Sequence, residues 1–385
     1  MDNIRRFPAV IFGNFPACIK IIFDDENFQK VGVQVVKPPI GFYNTGENSR
    51  WKDEIQVELV NLVRMKPIPK VAGLYEHLPN GNLVAMSLKS YLNMVWDGTK
   101  QLMGINGVDK FEEAFWRNPS VRGQIYGFTF DDKKRLFKSS HQLWNPNCLG
   151  GDFLQSIRES TGLTSYGVNR SSLIFGHYGS YFAVHTENRN LPAINYLHYG
   201  EPKVWYIIAP QDYDDFHLKI MRDLKNSTEF QNDCDNHLAH KSAICDPSWL
   251  KKNQIKFTRI VQTAGTYIVV APGAFHFGFN MGPNVGEAIN FLTEIKSWKK
   301  MGLKWKHCSC QAVGAVNLDL EIFLEKEESE LFKNVFKEEI DITTAHRFEC
   351  VLCRKAFSTS SAHNTHHRRA HLKEFFECTL YNLWT

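Results

Sequence analysis

From about residue 121 the chain breaks into short aromatic and β-branched runs: SLIFGHYGSYFAVH, AINYLHYG, KVWYIIAP, GTYIVVAPGAFHFGF and EAINFLTEI. Gly, Asn and Pro separate them. Runs this short, closed by turn residues, make strands, and this many strands imply a sandwich or a jelly-roll barrel. Helical patterning surrounds them, so the expected class is α+β. Residues 50–118 read as mostly helical, from the apolar spacing in EIQVELVNLVRM and SLKSYLNMVWDGTKQLM. Residues 23–45 predict a short capped helix, a VGVQVV strand and a Pro-Pro stop. Residues 211–256 read as a polar helical insertion between barrel strands, and 319–340 as a further helix.

The chain has 385 residues, 43% of them hydrophobic, which is ample for a large core. A formal charge of +4 is too slight to imply nucleic acid or an acidic membrane as partner. The N-terminus resembles a signal peptide, but Pro8, Gly13, Asn14, Pro16 and Lys20 interrupt its apolar stretch. No segment reaches the length of a membrane span, and an intracellular protein is expected. The nine cysteines therefore read as thiols or metal ligands before disulfides. Cys18, Cys148, Cys245 and Cys378 fall outside any metal pattern and are expected to be buried free thiols.

His185-Thr186-Glu187 ends a predicted strand, where residues i and i+2 point to one face and can bind one ion from inside a barrel. Two imidazoles and a carboxylate on one octahedral face suit a non-haem Fe(II) oxygenase, and His276 is the natural third ligand. Lys203 falls on a following strand whose interior is aromatic. A lysine there is costly unless an anion meets it, and a co-substrate carboxylate is such an anion. Asn195 and Tyr126 could add polar contacts there; the alternative is that Lys203 lies outside, on a solvated edge.

The stretches YFAVHTE, INYLHYGEPKVWY and FHFGFNMGPNVGEAINF, with IYGF upstream, resemble the Jumonji C (JmjC) family of Fe(II)- and 2-oxoglutarate-dependent dioxygenases. FDDENFQ and VVKPP look like a shortened Jumonji N (JmjN) segment. The resemblance implies a cupin-like double-stranded β-helix over 121–305, a JmjN-like segment over 1–46, and a helical linker over 47–120. It makes His185, Glu187 and His276 iron ligands, with Tyr126, Lys203, Asn195 and Phe182 holding 2-oxoglutarate. The implied activity is lysine demethylation of a histone H3 tail (lysine 9 or lysine 36) in the nucleus, releasing formaldehyde, succinate and CO2. The rivals are a hydroxylase of a non-histone protein and a catalytically weak chromatin-binding regulator.

In the family's trimethyl-lysine demethylases polar oxygens line the methylammonium pocket, and Gly167, Glu187 and Asn290 match those positions. Ile174 stands where the family has a tyrosine, Ala288 where it has serine or a similar small residue, and Ile289 replaces a polar one. Lys241 matches a family lysine near the site.

Cys234-x5-His240 and Cys308-x-Cys310 together make a Cys3His set of the kind that closes a tetrahedral zinc site. By the resemblance, this zinc pins the 306–345 segment over the substrate groove. Cys350-x2-Cys353-x12-His366-x4-His371 has the spacing of a ββα zinc finger within 346–385. Its would-be base-reading positions, Thr359, Ala362 and Thr365, lack long bidentate donors, so protein contact or weak nonspecific DNA contact is expected.

Overall fold

The computed structural model describes residues 4–39, 56–59, 63–76, 84–93, 100–117, 123–124, 127–129, 136–137, 144–162, 164–227, 236–293, 295–302, 304–305, 348–349 and 356–357. Thirteen strands form its two larger sheets: β1 (Ile4–Arg6), β2 (Val33–Lys37), β3 (Gln56–Leu59), β4 (Val84–Ser87), β5 (Gly127–Thr129), β6 (Ser172–Gly176), β7 (Tyr181–His185), β8 (Ala193–Gly200), β9 (Lys203–Ile208), β10 (Thr258–Gln262), β11 (Thr266–Val270), β12 (Phe275–Asn280) and β13 (Asn284–Asn290). The major sheet runs β1-β2-β11-β8-β13-β6-β5-β3-β4, and the minor sheet β7-β12-β9-β10. Strands β6 to β13 are divided between the two sheets and pair antiparallel, the wind of a cupin-like β-sandwich.

Each sheet buries both faces. Outside the major sheet, α1 (Phe15–Phe23) begins at Asn14, whose side chain accepts the Ala17 N–H at 3.0 Å. Its Phe15 meets Trp144 and Phe291 edge-on, and Trp144 stacks on Phe12 with ring centres 4.8 Å apart. Trp144 is tied at both ends: its indole donates to Phe12 O and its carbonyl accepts the Tyr267 hydroxyl. Strand β2 follows α2 (Glu26–Val31) and pairs with β11, so the N-terminal segment completes the major sheet. Outside the minor sheet lie α3 (Val108–Arg117) and α5 (Tyr213–Leu224), with α4 (Phe153–Thr161) between them in sequence. Phe115 of α3 stacks on Phe279 at 4.1 Å, and Phe216 of α5 packs on Phe275 at 5.0 Å. Each such buried aromatic side chain contributes about 1.5–3 kcal/mol.

Three expectations change. The helical reading of 50–118, and with it a helical linker over 47–120, holds only in part: among the described residues Leu88–Leu92 and α3 are helical, whereas β3, β4, Val63–Arg64, Lys66–Pro67 and Leu74–Glu76 are strands. QVEL also alternates with period two, and pairing of β3 with β5 and β4 overrides the weaker helical spacing. The 211–256 insertion holds α5 and α6 (Pro247–Lys252), but also a strand, Ala243–Cys245, paired with Leu74–Glu76. Cys18 and Cys245 are buried thiols, whereas Cys148, at a turn bridged to Asn145, is exposed. Cys378 and the 319–340 helix lie outside the described residues. Phe348–Glu349 pairs antiparallel with Ala356–Phe357. Among the described residues, no helix is long and apolar enough to cross a membrane.

Candidate active site

The pairing of β7 with β12 sets His185 directly opposite His276. A register shift between Phe182 and His185 lets these two residues, three apart, keep to the site face. Glu187 follows two residues on, and one ligand atom from each of His185, Glu187 and His276 lies within 4.8 Å of the others. His185 Nδ1 sits 2.7 Å from Ala183 O, and His276 Nδ1 3.1 Å from Ala274 O. A proton on each Nδ1 satisfies those carbonyls and leaves both Nε2 lone pairs for a metal. His276 Nε2 is 3.4 Å from Glu187 Oε1. Two imidazoles and one carboxylate fit Fe(II), with coordination positions to spare.

The electrostatics agree with that donor set. Burial, then the charges of His276 and Lys241, hold the His185 imidazole well below its ordinary range. Burial pushes the Glu187 carboxyl up, but a hydrogen bond and charge from His276 in its protonated form, with the charges of His185 and Lys241, outweigh it and hold the carboxyl low; a metal on Nε2 would take the place of that proton. Lys241 therefore belongs beside the triad; it follows the His237–His240 turn in the left-handed region, at φ 51°.

Further along the same face, Lys203 of β9 pairs with Asn280 of β12, while Ile207 pairs with His276. Lys203 is 2% exposed, and its Nζ donates to Asn280 Oδ1 at 2.5 Å. Asn280 is fixed in turn, its Nδ2 donating to Ser180 O and Oγ while its Oδ1 also accepts from Asn284. Burial pushes the Lys203 amine down to about 7. Among the described residues no carboxylate pairs with it, so its charge awaits an anion. Asn195 lies near it across Gly286, where an added Cβ would be 3.5 Å from Lys203 Cε and 3.7 Å from Asn195 Oδ1. Gln262 bridges Asn195 and the Trp205 indole. Between the triad and Lys203 lie Trp205 and Phe182, ring centres 4.7 Å apart. Phe182 sits on Gly278, where any Cβ would collide with Val204 O and the Phe182 ring.

On the facing sheet, Ile174 pairs with Gly286, and Ala288 lies between Ser172 and Asn195. Ile174, Ala288 and Ser172 are all half-buried. Gly167, at φ +80°, accepts the Asn290 N–H on its carbonyl at 2.7 Å. Pairwise registry thus brings Gly167, Asn290, Ala288 and Ile174 to one wall. His240 is buried beside His237, with ring centres 4.6 Å apart. Tyr126, Cys234, Cys308, Cys310, Cys350, Cys353, His366 and His371 lie outside the described residues. Asn280, Asn284 and Gln262 were not singled out from sequence; the FNMGPN stretch held the signal for the first two.

Residues 172–291 match the JmjC domain, described as a hydroxylase. The chain is 37% identical over 226 residues to probable lysine-specific demethylase 4F of Homo sapiens, covering 58% of this chain and 34% of that protein. It is 36% identical over 228 residues to lysine-specific demethylase 4D of Rattus norvegicus, covering 58% of this chain and 43% of that protein. Lysine-specific demethylase 4B of Mus musculus is 32% identical over 258 residues, covering 67% of this chain and 23% of that protein. The chain spans less than half the length of each of these relatives.

Proposed function

We propose that the chain is an Fe(II)- and 2-oxoglutarate-dependent dioxygenase that demethylates lysine in a histone tail. The observation that carries this is the convergence of His185, Glu187 and His276 within 4.8 Å, with both imidazole Nε2 atoms left for a metal. When bound, iron would couple dioxygen to the oxidative decarboxylation of 2-oxoglutarate: one oxygen atom enters succinate as CO2 is lost, the other hydroxylates an N-methyl carbon, and the hydroxymethyl amine breaks down to formaldehyde and the demethylated amine. Lys203 meets the distal carboxylate of 2-oxoglutarate with an ammonium already aimed by Asn280. Asn195 and Tyr126 add hydrogen bonds to that carboxylate. Phe182 and Trp205 pack on the co-substrate chain and keep water from it. Gly167, Ile174, Glu187, Lys241, Ala288 and Asn290 border the methylated lysine. With Ile174 and Ala288 the pocket offers fewer oxygens to a methylammonium, a loss of individually weak contacts.

The substrate we assign is a methylated histone H3 tail in chromatin, with lysine 9 or lysine 36 the target and the nucleus the place of action. The relatives' names support a methylated lysine as substrate. Cys234, His240, Cys308 and Cys310 would close a structural zinc site, and Cys350, Cys353, His366 and His371 a zinc finger making protein or weak DNA contacts. Incubation of mono-, di- and trimethylated H3 peptides with the protein, Fe(II), ascorbate and 2-oxoglutarate, read by mass spectrometry, tests the assignment. Loss of methyl mass with formaldehyde release is the expected result. The apolar Ile174 motivates the second reading, protein hydroxylation, which a stable gain of one oxygen without formaldehyde would establish instead.

A further inference from the structure

Asn190 carries no role in the site as described so far, yet it touches the supports of two metal ligands. It is fully buried, at 0% exposure, and lies in the left-handed region at φ 53°, next to Arg189 at 55°. Its backbone N–H donates to Glu187 O at 2.8 Å. Its carbonyl accepts the Gly273 N–H at 3.1 Å, within the Ala271–Ala274 turn whose last carbonyl, Ala274 O, receives His276 Nδ1. Its Nδ2 donates to Met301 O at 2.7 Å, in the last turn of α7 (Ile295–Gly302). A second tie from the same helix runs beside it, from the Trp298 indole to Arg189 O at 2.8 Å. One residue therefore links the Glu187 turn, the turn before His276 and the end of a helix.

We infer that Asn190 is a positioning residue for the metal centre, holding Glu187 and His276 in register by pinning both turns to α7. The inference rests on the metal reading above. Asparagine suits the post because it tolerates the left-handed backbone and also carries the amide donor. Asn190→Gly separates the two properties, keeping the backbone conformation while deleting the pin. Changing groups that orient metal ligands typically weakens metal binding by about 10–100-fold.

The test is Mn(II) titration of the full-length, zinc-loaded protein, followed by electron paramagnetic resonance; Mn(II) is a hard ion that thiolates do not favour. His185→Ala gives the background. Asn190→Gly is expected to stay folded, though less stable for leaving the buried Met301 carbonyl without its donor, and to bind Mn(II) about tenfold more weakly. At saturating Fe(II) its KM for 2-oxoglutarate should be unchanged, because Lys203 and Asn280 are untouched. A residue serving only the turn's shape would be replaced by glycine without effect on the site, leaving Mn(II) affinity within about twofold of wild type, which overturns the inference. If Asn190→Gly does not fold, Asn190→Asp keeps the side-chain shape and tolerates the left-handed backbone but removes the Nδ2 donor to Met301 O; weaker Mn(II) binding is expected, and unchanged binding overturns the role. A wild type that binds no more Mn(II) than His185→Ala rejects the metal reading itself, and the role of Asn190 with it.

Discussion

Lys203 is a cation held in an apolar interior by a neutral amide, and that arrangement has a measurable pH signature. Burial lowers its pKa to about 7, and the ammonium is the form that binds a carboxylate. Below pH 7 the free enzyme is already protonated, so KM for 2-oxoglutarate should be flat there. Above it, each pH unit should raise KM about tenfold, until the higher pKa of the bound state is reached. Lys203→Met should raise KM on the order of a hundredfold, from loss of about 2–3 kcal/mol of charge-assisted hydrogen bonding, with Mn(II) affinity unchanged. A steady-state KM profile that is flat from pH 6 to 9 (on the order of three units) contradicts the assignment. Gly278→Ala should cost about 2–3 kcal/mol in urea unfolding, because its methyl group meets Val204 O and the Phe182 ring. His185, Glu187 and Lys203 were legible in sequence because strand spacing suggested them and the family resemblance chose among the alternatives. Asn280 and Asn190 were not, since each acquires its role from strands or turns distant in the chain.

At the scale of elements, the irregularity in β7 decides the site: without the shift between Phe182 and His185, one of the two would turn away from the interior. Short runs of β-branched and aromatic residues made β6 to β9 and β11 to β13 readable, whereas a bulge leaves no periodic trace. The stretch 50–118 was partly misread for a related reason. A four-residue strand such as QVEL fits both periods, and only its partners settle which wins. The wall carrying Gly167 depends on α4. Asp152 caps that helix at Leu154 N and Gln155 N and also accepts Leu292 N at 2.6 Å, just beyond β13. Arg158 of α4 then holds Asn169 O at 2.7 Å and Asn147 O at 3.1 Å. Asp152→Ala should destabilise the fold by about 2–3 kcal/mol, by chemical denaturation, and lower affinity for the methylated peptide more than for 2-oxoglutarate.

Across the whole molecule, the sandwich is completed by its own N-terminal segment. Removal of residues 1–39 would open the edge of β11 and strip Phe12 and Phe15 from Trp144. The shortened chain should lose cooperative thermal unfolding by circular dichroism; a sharp transition near that of the intact chain would show the segment to be dispensable. That dependence was only half visible in sequence, where VGVQVV reads as a strand without disclosing its partner. The central claim is that one iron, held by His185, Glu187 and His276, turns over 2-oxoglutarate. Its most direct test is succinate formation by the wild type and by His185→Ala, with and without added Fe(II). Fe(II)-dependent succinate from the wild type, abolished in a His185→Ala protein that melts like the wild type, is the expected result. Equal succinate from both proteins, or none from a wild type saturated with Fe(II) and 2-oxoglutarate, contradicts it.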